Sequence, residues 1–464
     1  MFRLITRGRH SALLLLAAVC FVPLATLAAD PVSENRRMDP ETRFALRPPD
    51  AAAVTQLDQL FRNRQFRNAF LLYNMLVQPQ GVWLTGGTPT EVAEHVEKTL
   101  RQAALEHARA VFVLYNIPGR DCGGYSAGGA ETTPAYATWI DAIAGAIGER
   151  RAIVILEPDA LANLPSDCGY DPTGQLTIDR YTQLADAIGA LESHPGAQVY
   201  LDAGHSHWQS VGTIASRLVK AGLARTQGFF LNVSNYQPTP ALVQYGTWIG
   251  ECIAFASDPS QGGWRLGHYD FCGSQYFPAN ADDYSTWGLT DAWYAQNLSA
   301  PAQNPPHFVI DTSRNGQTHA TNATSDPTYA TESPGRMTSF GLAPYNQAAA
   351  TIATLAGGDW CNPPGSGVGV RPTSRTGNPL VDAFLWVKTV GESDGPCDSA
   401  GGARAWDYNV YSKPGWPTTA TEQALFDPLW GLNDPPAGAW FPQQALQLAQ
   451  LAVPALPPVP LLPR

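Results

Sequence analysis

The feature that most constrains this chain is a repeated unit in which a helical stretch is followed by a short, unbroken apolar run that ends in a polar cluster. Val111–Tyr115 follows a helical pattern over 91–109, Ala152–Leu156 one over 134–150, and Val199–Leu201 one over 178–192. Gly228–Leu231, His307–Ile310 and Ala383–Val387 are runs of the same kind. Apolar runs without polar alternation mark strands covered on both faces, and their alternation with helices predicts a parallel sheet.

The ends of the runs decide the architecture. Tyr115 leads to Arg120 and Asp121, Leu156 to Glu157 and Asp159, and Leu201 to Asp202 and His205. Leu231 leads to Asn232 and Asn235, Ile310 to Asp311 and Arg314, and Val387 to Lys388, Glu392 and Asp394. An open doubly wound sheet gathers ligands at one switch point, whereas a β/α ring builds its site from the carboxyl ends of many strands. Six decorated ends favour the ring. The fold expected is α/β: a distorted, partly open TIM-like β/α barrel with long loops over the catalytic face.

The flanks read differently. Residues 1–29 have a basic start (Arg3, Arg7, Arg9), an apolar run from Leu13 to Leu24 and small residues at Ala28 and Ala29, the pattern of a secretory signal. Residues 30–50 form a polar, Pro-rich arm expected to be loose, 51–452 one catalytic barrel, and 453–464 a Pro-rich tail. Export sets the reading of the cysteines. Removing Cys20 with the signal leaves Cys122, Cys168, Cys252, Cys272, Cys361 and Cys397, an even number that points to disulfides. Six cysteines allow 15 pairings; chain order suggests neighbours. With neither a C-x-x-C pair nor a His cluster at ligand spacing, neither metal nor cofactor is expected.

Of 464 residues, 44% are hydrophobic and 15% charged, which excludes disorder. A formal charge of −11 disfavours nucleic acid, and no later segment reads as a membrane span. The 13 Trp and 17 Tyr are sufficient to line a sugar site as well as a core. Acids at consecutive strand ends suit glycosidic cleavage, in which one carboxyl group must stay protonated to release the leaving oxygen. Serine acyl transfer lacks its nucleophile elbow.

Two strings sharpen this: Val113–Gly129 (VLYNIPGRDCGGYSAGG) and Ile153–Asn163 (IVILEPDALAN). With YLDAGH at 200–205, Trp208, NVSNY at 232–236, DWCN at 359–362 and WVKTVGESDG at 386–395, they closely resemble glycoside hydrolase family 6, the cellobiohydrolases and endoglucanases. The resemblance covers about 70–450. It implies an inverting β-1,4-glucanase acting on cellulose, with Asp159 as general acid and Asp121 raising that acid's pKa; with the signal, a secreted monomer is expected. Tyr115 would distort the sugar, Ser126 hold the attacking water, Asp202 support the acids, and Asp394 be the usual candidate for the base. Sugar-binding positions would be Trp83, His205, Trp208, Asn235, Trp360, Lys388 and Glu392. The resemblance also pairs Cys122 with Cys168 and Cys361 with Cys397, leaving Cys252–Cys272 as an extra staple.

A plain barrel needs about 250 residues. The surplus lies in residues 238–306 and in 396–438, the latter carrying Trp406, Tyr408, Tyr411, Trp416 and Trp430. Both are expected to roof the cleft, which favours an exo-acting cellobiohydrolase over an endoglucanase. Asn232, Asn297 and Asn322 each open an N-x-S/T triplet.

Overall fold

The computed structural model describes residues 38–281, 283–317, 360–398 and 414–459, with Ala403, Tyr408, Asn409 and Ser412 between the last two stretches. The expected signal, Asn322, Trp406 and Tyr411 lie outside the described residues.

Seven apolar runs form strands: β1 (Val82–Leu84), β2 (Ala110–Leu114), β3 (Ala152–Leu156), β4 (Ala197–Asp202), β5 (Gly228–Leu231), β6 (His307–Asp311) and β7 (Val381–Leu385). They pair in parallel in chain order, β1 through β7. Side chains alternate across a strand, so each run serves two cores. Val111, Val113, Ile153, Ile155, Tyr200, Phe230, Val309, Ala383 and Leu385 fill the barrel interior. Phe112, Leu114, Val154, Leu156, Val199, Leu201, Phe229, Phe308 and Ile310 face the surrounding helices. This double burial explains why the runs lack polar alternation.

Six helices accompany them: α1 (Ala51–Arg62), α2 (Phe66–Leu76), α3 (Pro89–Leu105), α4 (Thr133–Ile147), α5 (Gln175–Glu192) and α6 (Val211–Ala221), of which α3, α4 and α5 are the helical patterns expected at 91–109, 134–150 and 178–192. Helix α3 starts on a capping box, Thr88 with Glu91, and has Pro89 in its first turn. Among the described residues the ring does not close by a strand ladder: β1 pairs only with β2, and β7 only with β6. The seam is bridged instead by the Gly81 amide donating to the Trp386 carbonyl (2.8 Å) and the Trp83 indole donating to Val387 (2.9 Å). A Cβ at Gly81 would lie 2.7 Å from the Val387 carbonyl oxygen, so only glycine fits the crossing. Together α1, α2 and a late helix, Pro442–Gln450, pack around Trp386 and Trp440 beside this seam.

Two expectations are corrected. The arm at 30–50 is not loose where it is described. Met38 and Phe44 are buried in the barrel-interior cluster, and Phe44 bridges to Arg109 just before β2. Two apolar anchors suffice to seat an otherwise polar segment at the amino end of the barrel. The stretch 238–306 is not chiefly a loop over the cleft. It holds α7 (Thr239–Ser257), α8 (Gly288–Asn297) and four short 3₁₀ turns. Trp248, Ile249, Cys252, Trp287 and Tyr294 join the outer core, so the segment packs on the barrel flank. Further on, Leu456 of the tail is buried, and the Asn74 side chain donates to the carbonyls of Pro457 and Val459 at 2.7 Å.

Candidate active site

The strand ends surround a cleft of about 650 Å³. Tyr115, Asp121, Ser126 and Asp159 line it, as do Trp83, His205, Trp208, Asn235, Trp360, Lys388 and Asp394. Thus most residues expected from the sequence converge on one space. Asp202 stands behind the wall, buried. Glu392 is the exception. It does not line the cleft, and its carboxylate accepts from both terminal nitrogens of Arg47 at 3.2 Å. The anchored arm thereby claims the side chain expected to bind sugar.

The turns after the strands are strained where the acids sit. Glu157, Asp159, Asp121, Cys122, Asn232 and Ser234 all have φ between 48° and 71°. With Asn362 and Cys397, eight of the eleven non-glycine residues of left-handed φ among the described residues lie in these rim turns. Each costs about 1–3 kcal/mol and persists only where surrounding contacts hold it. Glu157 supplies such contacts. Fully buried, it accepts from the amides of Asn116 (2.9 Å) and Ile117 (2.9 Å), clamping the turn after β2 to β3. Burial pushes its carboxyl up to about 7, against the pull of those amides, Tyr136 and Arg180.

The carboxyl groups differ in their surroundings, and so in their protons. Asp202 accepts from the amides of Leu161 (3.0 Å), Ala162 (2.8 Å) and Gly204 (2.9 Å). Burial raises it, but these donors favour its charged form. Asp159 is pushed well above the usual carboxylate range, first by burial and then by the charges of Asp202, Asp121 and Asp394. Burial raises both, and the amides that favour the charged form of Asp202 leave the larger rise to Asp159. Asp121 is raised by burial, while the Ser126 amide (2.5 Å) and Arg120 oppose the rise.

Asp394 is the opposite case. Burial alone would raise it, yet Arg314 and Lys388 hold it below the ordinary value. The Arg314 guanidinium donates to both oxygens (2.8 and 2.7 Å), Tyr236 donates at 2.9 Å and the Asn362 amide at 3.0 Å. Arg314 and Asp311 stand in the strand-end pattern of the sequence, which gives neither of them a role. Asp311 accepts from the amides of Ser313 and Lys388 at 2.9 and 3.0 Å, fixing the turn that carries Lys388.

Rings form the remaining walls. Trp83 meets Tyr115 edge-on at 5.5 Å, and the Arg120 guanidinium lies 4.7 Å from the Tyr115 ring centre. His205 packs 5.4 Å from Trp208, and burial, then His207, pushes it down to about 3, so it is neutral. Trp360 is 41% exposed beside Tyr125. Tyr125, Asn163, His207, Ser234, Tyr236 and Gln237 also line the cleft, and all lie within or beside the quoted strings without having been singled out there. Asn232 opens a glycosylation triplet but is fully buried, its side chain donating to the Asp311 carbonyl and accepting from the Gln237 amide, so it is not an acceptor in the folded chain.

The disulfides are Cys122–Cys168, Cys252–Cys272 and Cys361–Cys397, with Cα separations of 5.7, 5.6 and 5.7 Å. They are the three expected neighbour pairs.

Carboxyl groups held at different proton affinities, in a ring-lined cleft at the carboxyl ends of parallel strands, are the arrangement that glycoside hydrolysis by carboxyl chemistry requires. The chain belongs to the glycosyl hydrolases family 6, whose family model matches residues 40–452. It is 31% identical over 322 residues to a Thermobispora bispora protein named endoglucanase A, covering 68% of this chain and 51% of that one. The chain thus spans about half the length of that relative. Among solved structures it is similar to the endoglucanase Cel6 of Mycobacterium tuberculosis, in complex with a thio-linked methyl-cellobiosyl cellobioside (30% identity, TM-score 0.55, 88% of this chain and 97% of that one). It is also similar to the catalytic core of the cellobiohydrolase Cel6A of Chaetomium thermophilum (25%, TM-score 0.56, 89% and 99%). The seven-stranded half-barrel is therefore the distorted TIM-like barrel of this family.

Proposed function

We propose that the protein is an exported cellulase that hydrolyses β-1,4-glucosidic bonds with inversion. The supporting observation is the separation of proton affinities between Asp159, which is raised, and Asp394, which is lowered, across one cleft. Asp159 gives its proton to the glycosidic oxygen as the bond from C1 breaks. The positive charge developing on the sugar faces the carboxylates of Asp121 and Asp394, with Asp202 behind them. Tyr115, wedged between Trp83 and Arg120, presses the ring at the cleavage point. Water attacks the opposite face and loses its proton. Asp394 already accepts four hydrogen bonds, so it is a poor direct acceptor. We assign it charge stabilisation, and the proton leaves through water held at Ser126. Export fits the three disulfides, which persist in oxidising compartments.

Chain-end cutting, releasing cellobiose, is the mode we favour. The long segment 396–438 leaves the cleft directly at Asp394. Its start is tied to the Trp360 segment by Cys361–Cys397 and to Tyr125 by a bond from the tyrosine hydroxyl to the Asp398 carbonyl (3.2 Å). An open, endo-cutting cleft is the second reading. It is favoured by the flank packing of 238–306 and by a cleft lining that takes no described residue from either long segment. Product analysis on amorphous cellulose with carboxymethylcellulose viscometry decides between them. Soluble cellobiose with little fall in viscosity supports chain-end action, and a rapid fall supports endo action. No sugar from either substrate rejects the glucanase reading.

A further inference from the structure

The insertion between α7 and β6 lines no part of the cleft, yet it concentrates exposed rings. Among the described residues, eight aromatic side chains are strongly exposed, and four of them lie in the fourteen residues 264–277: Trp264 (64%), Phe271 (51%), Tyr276 (48%) and Phe277 (72%). Exposed apolar surface gathered in this way marks a contact site rather than chance. Trp264 and Phe271 are held in place. Trp264 packs on the buried Phe255 at 6.1 Å and on Phe271 at 6.2 Å, and Arg265 lies 5.3 Å from the Trp264 ring centre. Cys272, next to Phe271, is bonded to Cys252 of α7.

Two further observations identify the occupant. The segment adjoins the cleft at one end: the Tyr276 hydroxyl donates to the Trp208 carbonyl at 2.9 Å, and the Gln275 side chain donates to the Gln209 carbonyl at 2.9 Å. Trp208 is itself a cleft residue. The stretch 264–277 also carries one Arg, one Asp and one His, so it offers no net field to an anionic surface. A neutral polymer with flat apolar ring faces matches both facts.

We propose that Trp264, Phe271 and Phe277 form a second glucan-binding surface outside the cleft. It holds β-1,4-glucan chains of solid cellulose by stacking on their sugar rings. This rests on the glucanase reading above. The test compares wild type with the triple variant Trp264→Ala/Phe271→Ala/Phe277→Ala and with Phe277→Ala alone, whose ring is the most exposed. Adsorption to microcrystalline cellulose in the cold is measured beside kcat/KM on soluble cellohexaose and the sedimentation coefficient. Expected are an adsorption constant lowered about tenfold in the triple variant and severalfold in Phe277→Ala, as loss of stacked rings implies, with cellohexaose turnover unchanged. Unchanged adsorption in both variants overturns the proposal. So does an equal loss on cellohexaose, or a wild-type dimer that the substitutions dissociate. Cellohexaose cleavage by wild type tests the glucanase reading separately, so the two can fail independently.

Discussion

At the scale of single residues, what distinguishes the four acids is who donates to them. Asp202 and Asp394 are fed by backbone amides or cations, whereas Asp159 is surrounded by burial and negative charge. Asp159→Asn is expected to lower turnover on unactivated glucan by a factor of about 10²–10⁴, the usual worth of general-acid catalysis, while substrate binding persists. Retention of more than roughly a tenth of wild-type activity would remove the assignment. The acid must be protonated to work, so activity declines as pH rises through its pKa. Asp202→Asn withdraws one influence raising that pKa, and the alkaline limb of the kcat/KM profile should move to lower pH. An unmoved limb would mean the two groups are not coupled. For the buried Arg314–Asp394 pair, Arg314→Met should cost about 3–5 kcal/mol in urea unfolding at neutral pH. Because Asp394 is lowered in the fold, the pair stabilises above the ordinary carboxylate pKa. That contribution disappears as pH falls through the depressed value, so the variant should show a flatter loss of stability between neutral and acid pH. These acids were legible because they follow unmistakable strands in strings shared with a family. The fate of Glu392 was not, because its partner Arg47 lies 345 residues away in a segment that looked unattached.

At the scale of elements, the strands β2–β7 and the helices α3–α5 were readable, the strands because burial on both faces leaves an unbroken apolar run, whereas β1, only three residues long, was not. The failure was α7. Its face towards the sheet and its face towards α8 are both covered, so it has little amphipathic contrast, and its glycines and aromatics read as loop. Packing explains one of those glycines. A Cβ at Gly246 would sit 2.5–2.8 Å from three atoms of the Phe308 ring, so glycine lets α7 lie directly on β6. Gly246→Ala adds helix propensity but forces that ring to move. Overpacking should win, with a net destabilisation of about 1–3 kcal/mol. A urea midpoint at or above wild type would show that β6 yields more easily than a close-packed sheet should.

At the scale of the whole molecule, the partly open barrel holds its site with cross-links at the rim rather than with a closed ladder. Cys122 adjoins Asp121 and Cys168 lies in the turn region after Asp159, while Cys361 adjoins Trp360 and Cys397 follows Asp394 by three residues. Two of the three disulfides therefore bracket the acids, and Cys252–Cys272 lies on the flank. The enclosed separations are 46, 36 and 20 residues, for which loop-closure entropy predicts similar stabilisation, about 3–4 kcal/mol each. Stability and activity should then part company. Cys252→Ser/Cys272→Ser is expected to lower the unfolding midpoint while leaving kcat on cellohexaose near wild type. Cys361→Ser/Cys397→Ser should lower the midpoint by a comparable amount and also reduce kcat, because the turn holding Asp394 and the edge holding Trp360 lose their common tether. Thermal unfolding and cellohexaose kinetics on both variants separate the cases. Equal kinetic losses would mean that the flank transmits strain to the cleft, and the rim cross-links would have no special place in positioning the acids.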